Sequence, residues 1–317
     1  MKIMCVGDIH FADAFTHRTD NVRNTFEKKW EQIFELCRKK ECQLMLLTGD
    51  IFHHKHPLRT SHSLVQFVIQ LFKKSPVPIY STVGNHDIQH NDIKTLQKQP
   101  LGVLMQSGVI KPLLCTLMHP KTADGSISVK DAIELFGISY SADLSQIHLP
   151  PKKKGFKRIG VFHTFMDWAS GTFYGAEKVW SFQELKHLDC DFILNGHDHQ
   201  HYEIANDNTG IIIRPGALIR YSRNEVDLKR KIYVAVLNTE RPEHIYYELK
   251  AAPAEQIFDL ATQVIQKKEK EEVSDFVQVL ENIKHFKQKS LSEEIEGMDL
   301  PPDVKTELEG YIESVKK

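Results

Sequence analysis

Polar side chains follow the ends of five short apolar runs, and this recurrence constrains the fold more than any other feature of the chain. Each run has the length and composition of a buried strand. In α/β folds, chemistry is found at the carboxyl ends of such strands. We therefore expect one functional site built from strand ends. The segments are Gly7-Asp8-Ile9-His10, Gly49-Asp50, Gly84-Asn85-His86-Asp87, His163 and Gly196-His197-Asp198-His199.

The order of the predicted elements indicates the fold class. Strands are predicted over 2–7, 44–48 and 77–83, separated by helices over 21–40 and 63–74, which implies a mostly parallel sheet. More strands than helices are expected over 101–140, and a helix is expected over 180–187. Two sheets flanked by helices, an αββα sandwich of the α/β class, account for the number of strands. The later strands are predicted over 159–162, 191–195, 211–213, 232–237 and 245–249.

The composition changes after Ala251-Ala252-Pro253, which predicts a domain of residues 1–250 and a helical segment of residues 251–317. From Ala251 onward the chain has nine lysines, no arginine and 15 acidic residues, a net charge of −6 against +5 for the preceding residues. A last short helix is predicted from Asp303. Apolar residues recur at helical spacing at Ile257, Leu260, Ala261 and Val264, and at Phe276, Val279, Leu280 and Ile283.

The cysteines and the apolar runs bear on the compartment. The five cysteines are scattered and form no CxxC motif, so we expect reduced thiols. The apolar runs are too short to span a bilayer, and the N-terminus lacks a signal pattern. We expect a protein without membrane association in the cytoplasm of a bacterial or phage-infected cell, or associated with its nucleoid.

The residue types at the strand ends point to a pair of metal ions. Two ions about 3.5–4 Å apart can hold both the attacking and the leaving oxygen of a phosphate ester. Asp50 lies between the other segments and is the natural bridging carboxylate, while Asp8-x-His10 and His197-x-His199 each place two ligands on alternate residues. None of these segments contains Cys, which argues against a structural zinc site. Mixed carboxylate, amide and imidazole ligands suit Mn²⁺, Fe²⁺ or Zn²⁺ better than Ca²⁺.

These motifs, in this order, resemble the calcineurin-like metallophosphoesterase superfamily, and the resemblance extends from Met1 to about Leu249. Within the superfamily the chain is most similar to the SbcD-type nucleases that process DNA double-strand breaks. Three further segments carry this second resemblance. They are Gly49-Asp50-Ile51-Phe52-His53, Pro57-Leu58-Arg59-Thr60 and Arg214-Pro215-Gly216-Ala217-Leu218-Ile219-Arg220.

The resemblance implies a role for each motif residue. His86 would lie beside the scissile phosphate, oriented by Asp87, and His53 would position the DNA end. A histidine in a surface loop is the alternative interpretation of His53. Two divalent ions are implied, with Mn²⁺ expected and Mg²⁺ as the alternative. One ion would be held by Asp8, His10, Asp50 and His199, and the other by Asp50, Asn85, His163 and His197.

The resemblance also implies partners. DNA would be held mainly through its phosphates, and the helical segment 254–317 would dock on an SbcC-like ATPase of the SMC family. The alternative is that these helices pack on the chain's own core. A homodimer joined through helices near residues 61–104 is expected. The candidate DNA contacts are Arg18, Lys55, Arg59, Lys152, Lys153, Lys154, Arg220 and Arg223.

The sequence therefore predicts a two-metal, manganese-dependent DNA nuclease. It would act as an exonuclease or endonuclease on DNA ends in recombination, repair or replication, together with the ATPase. Two alternatives stay open at this point. One is a phosphatase or nucleotide phosphodiesterase on the same fold, and the other is a scaffold that has the fold but no metal.

Overall fold

A computed structural model describes residues 1–114, 133–140, 142–167, 173–174, 177–203, 210–241, 243–260 and 295–315. The chain divides into two compact units, Met1–Phe258 and Asp259–Lys317. Cys115 and the apolar stripe predicted at Phe276, Val279, Leu280 and Ile283 lie outside the described residues. The other four cysteines are buried free thiols.

The first sheet carries the first three motifs. Its strands are β1 (Lys2–Val6), β2 (Leu44–Leu47), β3 (Ile79–Ser81), β4 (Lys111–Pro112), β14 (Tyr233–Asn238) and β15 (Glu243–Glu248). They are arranged in the order β15-β14-β1-β2-β3-β4. Strands β1 to β4 are parallel, and β14 is antiparallel both to β1 and to β15. The carboxyl ends of β1, β2 and β3 therefore lie at one edge.

The second sheet carries the remaining motifs. Its strands are β5 (Ile133–Ile138), β6 (Lys157–His163), β11 (Phe192–Gly196), β12 (Tyr202–Glu203) and β13 (Ile211–Arg214), in the order β12-β13-β11-β6-β5. All but β12 are parallel. Two short pairs accompany this sheet: β7 (Met166–Asp167) with β10 (Trp180–Ser181), and β8 (Phe173–Tyr174) with β9 (Glu177–Lys178).

Helices connect the strands. The described α-helices are α1 (Val22–Lys39), α2 (His62–Lys73), α3 (Pro100–Gln106), α4 (Glu225–Lys229), α5 (Ala254–Ile257) and α6 (Pro302–Val315). Short 3₁₀ helices span Pro57–Arg59, Ile93–Lys98, Leu144–Gln146 and Phe182–Leu188. Asn21 and Ser61 cap α1 and α2 by accepting hydrogen bonds from the N–H groups of Asn24 and Leu64. In the part of the chain that the structure describes, no helix is both long and apolar enough to cross a membrane.

The two sheets face each other across an apolar core, and this confirms the predicted αββα sandwich. Ile3 and Leu46 of the first sheet share that core with Val161 and Leu194 of the second. Helices α1 and α2 cover the outer face of the first sheet. On the outer face of the second sheet, Leu185 and Leu188 of the 3₁₀ helix Phe182–Leu188 pack with Phe136, Phe162 and Ile193 of the strands.

One local prediction is wrong and another is incomplete. Residues 180–187 form a strand and a 3₁₀ helix instead of one α-helix, because Trp180 and Ser181 pair with β7 and Ser181 caps a helix that begins only at Phe182. Within 101–140, the strands β4 and β5 agree with the expectation, but residues up to Gln106 form the helix α3, which starts at Pro100. The interior Gly102 obscures this helix in the sequence. Its missing side chain lets α3 pack on Leu96, whose carbonyl oxygen would be 2.2 Å from an added Cβ.

The first unit extends past residue 250 because α5 is anchored to it. Ala254, Ile257 and Phe258 are buried. The Thr19 N–H donates to the Ile257 carbonyl at 3.0 Å, and Phe258 forms a β-bridge with Arg18.

A buried ion pair supports the second sheet, and its removal should be costly. Arg158 and Glu134 have 2% exposed side chains and lie 2.7 Å apart. The same guanidinium donates to the carbonyls of Leu188 and Pro150. Glu134→Ala should therefore lower the free energy of unfolding by about 3–5 kcal/mol, since Arg158 would stay buried without its counter-charge. Urea denaturation followed by circular dichroism measures this change.

Lys229→Ala provides the matched control, because the Lys229–Glu225 pair is solvent-exposed. It should leave the free energy of unfolding unchanged. Equal stability of the two variants would show that the buried pair contributes nothing to the fold.

Candidate metal centre

The strand-end motifs of both sheets meet at one place. Asp8 and His10 follow β1, Asp50 follows β2, and Asn85 follows β3, while His163 ends β6. Three groups of potential ligands result, each with donor atoms within 4.8 Å of one another. One contains only histidines, His10, His53 and His86, and the other two contain a carboxylate. The first of these two ligand groups contains Asp8, His10 and His199, and the second contains Asp50, His163 and His197.

Asp50 lies between the two groups. Its Oδ2 atom is 3.6 Å from His10 Nε2 in the first group and 3.4 Å from His163 Nε2 in the second. Its Oδ1 atom accepts a hydrogen bond from the backbone N–H of His86 at 2.7 Å. One carboxylate oxygen thus faces both groups while the other is held by the chain.

The side chain of Asn85 completes the second group. One atom of its amide lies 3.0 Å from Asp50 Oδ2, 3.1 Å from His163 Nε2 and 3.2 Å from His197 Nδ1. If that atom is the amide oxygen, it can serve as a metal ligand beside the carboxylate and the imidazoles; if it is the amide nitrogen, it donates to them, and the amide oxygen accepts from Lys55 at 3.3 Å. This donor set of amide, carboxylate and imidazole fits a divalent metal.

The imidazole rings are oriented by hydrogen bonds on their outer nitrogens. His163 Nδ1 lies 2.7 Å from the Thr48 carbonyl, and His197 Nε2 lies 2.8 Å from Glu177. His199 Nδ1 lies 2.5 Å from the Tyr221 hydroxyl. When the outer nitrogen carries the proton, the inner nitrogen presents its lone pair to the cluster, as metal ligation requires.

The charges of the cluster also suit a cation. Burial, together with the negative charge of Asp50, raises the pKa of Asp8 to about 7. Although burial opposes ionisation of His163, the carboxylates of Asp50 and Asp8 raise its pKa to about 9. The same burial also disfavours the charged form of Asp50, but His163 and His10 hold its pKa well below the usual range. The carboxylates thus draw positive charge onto the neighbouring imidazole.

The carboxylates of Asp50 and Asp8 pack directly against the backbone of two motif glycines. A Cβ atom on Gly84 would lie 2.1 Å from Asp50 Oδ1, and one on Gly196 would lie 2.4 Å from Asp8 Oδ1. Three of the candidate ligands also adopt left-handed backbone conformations, His10 at φ 57°, Asp50 at φ 47° and His197 at φ 83°. Such conformations are costly for residues with side chains and are concentrated at functional sites.

A model of the calcineurin-like phosphoesterase family matches residues 1–201, more than half of the chain. The chain belongs to the calcineurin-like phosphoesterase family. Membership confirms the resemblance inferred from the motifs, and with it a hydrolase of phosphoester bonds.

Two curated relatives are DNA repair proteins. The chain is 26% identical over 124 residues to the DNA double-strand break repair protein Mre11 of Methanopyrus kandleri, covering 38% of this chain and 26% of that protein. It is 26% identical over 111 residues to the Mre11 protein of Archaeoglobus fulgidus, covering 34% and 25%. The matches span about a quarter of the length of these curated relatives. The solved structure of a dimetal phosphatase from Danio rerio is also similar, with 12% sequence identity and a TM-score of 0.48. The match covers 78% of this chain and 95% of the phosphatase.

His53 and His86 of this phosphoesterase lie beside the two ligand groups. The His53 and His86 rings stack with centroids 5.7 Å apart, and His53 also packs against Phe15 and Tyr221. Burial and the neighbouring imidazole of His86 lower the pKa of His53 to about 4. His53 is therefore a half-buried member of the site, contrary to the alternative of a surface loop histidine.

The orienting partner of His86 differs from the expected one. Its Nδ1 atom is hydrogen-bonded to the backbone carbonyl of His53. The Asp87 carboxylate instead accepts hydrogen bonds from the N–H groups of Gly84 at 2.9 Å and Ile51 at 3.0 Å. Asp87 thus holds the two motif loops together, and the His53 carbonyl fixes the His86 ring. Because this acceptor is a backbone carbonyl, which every residue type supplies, the sequence does not reveal it as the partner of His86.

Several expected DNA contacts are used elsewhere in the fold. The side chain of Arg18 is 1% exposed and is paired with Asp20 at 2.6 Å. Arg220 is 8% exposed and donates to the carbonyls of Leu228 and Ala252. Neither guanidinium is available to DNA, because each is enclosed and already hydrogen-bonded.

The lysine triplet lies at the other end of the second sheet. Lys152 pairs with Asp189 and Asp191, which precede β11, whereas the candidate ligands follow it. Lys153 and Lys154 are exposed in the same segment. These three residues are therefore not neighbours of the ligand groups.

Of the remaining candidates, Lys55 lies 3.3 Å from the Asn85 amide, Arg59 is exposed, and Arg223 is half-buried in the loop after Tyr221.

The site opens into a groove of about 930 Å³. Asp50, Asn85, His86, His197 and His199 line one part of it. Arg214 and Arg230 line another part, but each is tied to a neighbouring carboxylate, Asp198 at 3.2 Å and Asp227 at 2.8 Å.

Glu177 and Tyr221 are the functional candidates that the sequence does not reveal. Glu177 accepts from Tyr140 and contacts His197, both at 2.8 Å, while Tyr221 holds His199. Neither belongs to a strand-end motif. The position of Tyr221 directly after the Arg214–Arg220 segment is the one available signal.

Tyr221→Phe should weaken metal binding about 10–100-fold, because His199 loses the partner that fixes its ring. Titration of the metal-free protein with Mn²⁺ in a calorimeter measures this affinity. Tyr202→Phe serves as the control, since this tyrosine is 55% exposed and also lines the groove. Equal Mn²⁺ affinity of both variants would mean that the Tyr221 hydroxyl does not orient a ligand.

Proposed function

We propose that this phosphoesterase is a two-metal, SbcD-like DNA nuclease that hydrolyses phosphodiester bonds at DNA ends. The observation that carries the proposal is the position of Asp50 between two groups of ligands at a groove. The step from phosphoester to DNA is supported by the break-repair proteins that the chain resembles over 124 and 111 residues.

The metal ligands proposed are those expected from the motifs. Two ions held there would act as Lewis acids toward the phosphate oxygens. Mn²⁺ is proposed as the physiological ion and Mg²⁺ as the alternative, because the ligands combine oxygen with imidazole nitrogen. Asp8, His10, Asp50 and His199 would hold one ion, and Asp50, Asn85, His163 and His197 the other.

His86 is proposed to act directly on the scissile phosphate. Because its Nδ1 atom is bonded to the His53 carbonyl, its Nε2 atom is the nitrogen that can meet a substrate in the groove. From there it can hydrogen-bond a phosphate oxygen or protonate the leaving oxygen. His53 supports the His86 ring from one face, and Asp87 holds the backbone that carries it.

The phosphate backbone of DNA is proposed to meet Lys55, Arg59 and Arg223. Lys55 lies beside the second ligand group. Contacts of this kind are independent of base sequence and weaken with salt, which suits an enzyme that degrades ends.

One observation favours a second candidate, a phosphatase or nucleotide phosphodiesterase. Of the eight expected DNA contacts, Arg18 and Arg220 are enclosed, and the lysine triplet lies away from the ligand groups. The described part of the groove is lined by Arg214 and Arg230, which are tied to carboxylates, and such a lining suits a small phosphoester as well as it suits DNA.

The partners are also proposed from the resemblance. An SbcC-like ATPase would bind the helices of the second unit, of which α6 is described. A homodimer would form through residues 61–104. Exposed apolar side chains in and beside this segment support a dimer, namely Leu58, Ile93 and Val103 at 88%, 42% and 47% exposure.

Linear duplex DNA incubated with the protein and Mn²⁺, Mg²⁺ or EDTA tests the proposal. We expect degradation with Mn²⁺ and none with EDTA. Asp50→Ala should abolish it because both proposed ion sites share this residue, and His86→Ala should slow it at least about 100-fold. His187→Ala, an exposed histidine outside the site, should keep full activity.

Bis-p-nitrophenyl phosphate distinguishes the two candidates. Hydrolysis of this small diester without degradation of DNA, even with the ATPase present, would favour the phosphodiesterase. Inactivity on both substrates with no Mn²⁺ bound would overturn both in favour of the scaffold.

A chain ending at Phe258 tests the role of the second unit. We expect it to hydrolyse the small diester at the rate of the full chain and to lose binding to the ATPase. The cut follows Phe258 because Ala254, Ile257 and Phe258 are buried in the first unit. A chain ending at Lys250 would expose that surface and is the control for misfolding. Undiminished ATPase binding by the folded 1–258 chain would contradict the docking proposal.

A further inference from the structure

A second, smaller cavity of about 120 Å³ lies away from the metal centre. Its walls come from α1, from the loop at Ile219 and Arg220, and from residues 250–257. Five of its lining residues are basic, and we refer to it as the basic cavity. They are Arg18, Lys28, Lys29, Arg220 and Lys250.

Lys29 is the unusual member of this group. It is 4% exposed, and its Nζ atom has no hydrogen-bond partner within the described part of the chain. Burial, reinforced by the positive charges of Arg220, Arg230 and Arg18, lowers its pKa to about 7. A buried ammonium group without an acceptor is strongly unfavourable, so a negatively charged partner at this position would stabilise the charged form of Lys29.

The two arginines around Lys29 are held in fixed positions. Arg18 is paired with Asp20 and donates to the Arg220 carbonyl at 2.5 Å. Arg220 donates to carbonyls on two different segments. Burial and the charges of Arg230 and Arg18 lower the pKa of Arg220, and Asp227 and Glu255 oppose this shift. Among the described residues, the five basic residues are therefore opposed by three carboxylates, Asp20, Asp227 and Glu255, and positive charge is left in excess.

The entrance of the cavity is also basic and fixed. Lys28 and Lys250 are exposed, while Lys29 is buried behind them. Gln32 ties their backbones together, because its amide lies 3.2 Å from the carbonyls of both Lys28 and Lys250 and accepts from the Lys250 N–H at 2.8 Å. An anion entering here would pass from exposed ammonium groups to a buried one.

We propose that the basic cavity binds one phosphate group, with Lys29 as its buried ligand. A compact tetrahedral oxyanion matches both the volume and the charge, and its oxygens accept strong charge-assisted hydrogen bonds from lysine. Arg18 and Arg220, which already donate to other groups, contribute positive charge. The phosphate is supplied either as inorganic phosphate or as the 5′-phosphate of a nucleotide whose nucleoside stays outside the cavity. The bound anion joins α1 to the loop of Arg220, whose neighbour Tyr221 holds His199.

Calorimetric titration of the full chain with inorganic phosphate at constant ionic strength tests this site. One series of titrations contains EDTA, so that metal ions do not contribute to phosphate binding. A second series contains Mn²⁺. We expect one phosphate per chain in EDTA. Lys29→Met should weaken binding about tenfold or more through the loss of one charge-assisted hydrogen bond. Lys39→Met, on the same helix but outside the cavity, should bind like the wild type.

Thermal unfolding provides the second measurement. Phosphate should raise the Tm of the wild type and of Lys39→Met but not that of Lys29→Met, while equal chloride raises none of them. Without phosphate, Lys29→Met should be at least as stable as the wild type, because the unpartnered buried ammonium is gone. Lys29→Gln replaces it if the methionine variant does not fold.

The same titration with dAMP distinguishes the sources. Binding of dAMP at least as tight as that of phosphate, and lost in Lys29→Met, assigns the site to nucleotide phosphates, whereas weaker binding assigns it to free phosphate. No binding of either ligand in EDTA, or equal binding by wild type and Lys29→Met, would overturn the proposal and leave a cavity that holds only water.

Discussion

Buried carboxyl groups where the two sheets meet are the constraint on which the rest of the structure depends. Asp8, Asp50 and Asp87 are at most 2% exposed. Their partners are backbone N–H groups, the Thr48 hydroxyl and imidazole rings. Unpaired charge in such a place is strongly unfavourable. The fold therefore brings strand ends from both sheets together around a position that favours cations.

The same junction carries the strain of the fold. His10, Asp50 and His197 adopt left-handed backbone conformations, and hydrogen bonds between the motifs hold them there. The His10 N–H donates to the Asp50 carbonyl at 2.9 Å, and the His197 N–H donates to Asp8 at 2.8 Å. The apolar core between the sheets supplies the stability that tolerates this strain. Residues of the site thus fix one another's geometry before any ligand arrives.

The elements and the ligand segments can be predicted from the sequence because both depend on local patterns. A buried strand followed by Gly-Asp or Gly-Asn-His is visible within ten residues, and the position of Asp50 alone marks it as the bridging candidate. The 3₁₀ helix Phe182–Leu188 resembles an α-helix in the sequence because a short apolar spacing fits both periods. The His53 and Thr48 carbonyls cannot be predicted, since any residue type supplies a carbonyl. Glu177 and Tyr221 are brought to the site only by the tertiary fold.

The burial of the cationic residues shows most clearly that composition does not predict which charges lie on the surface. The first 250 residues carry a net charge of +5, which suggests a basic surface for DNA. The side chains of Arg18, Arg158, Arg214, Arg220 and Arg230 are instead at most 8% exposed and bind loop carbonyls and carboxylates. Arginine suits this role because its planar group donates in several directions at once. Among the described residues that line the groove, Arg214 and Arg230 are tied to carboxylates, so the composition overstates the positive charge that a ligand would meet there.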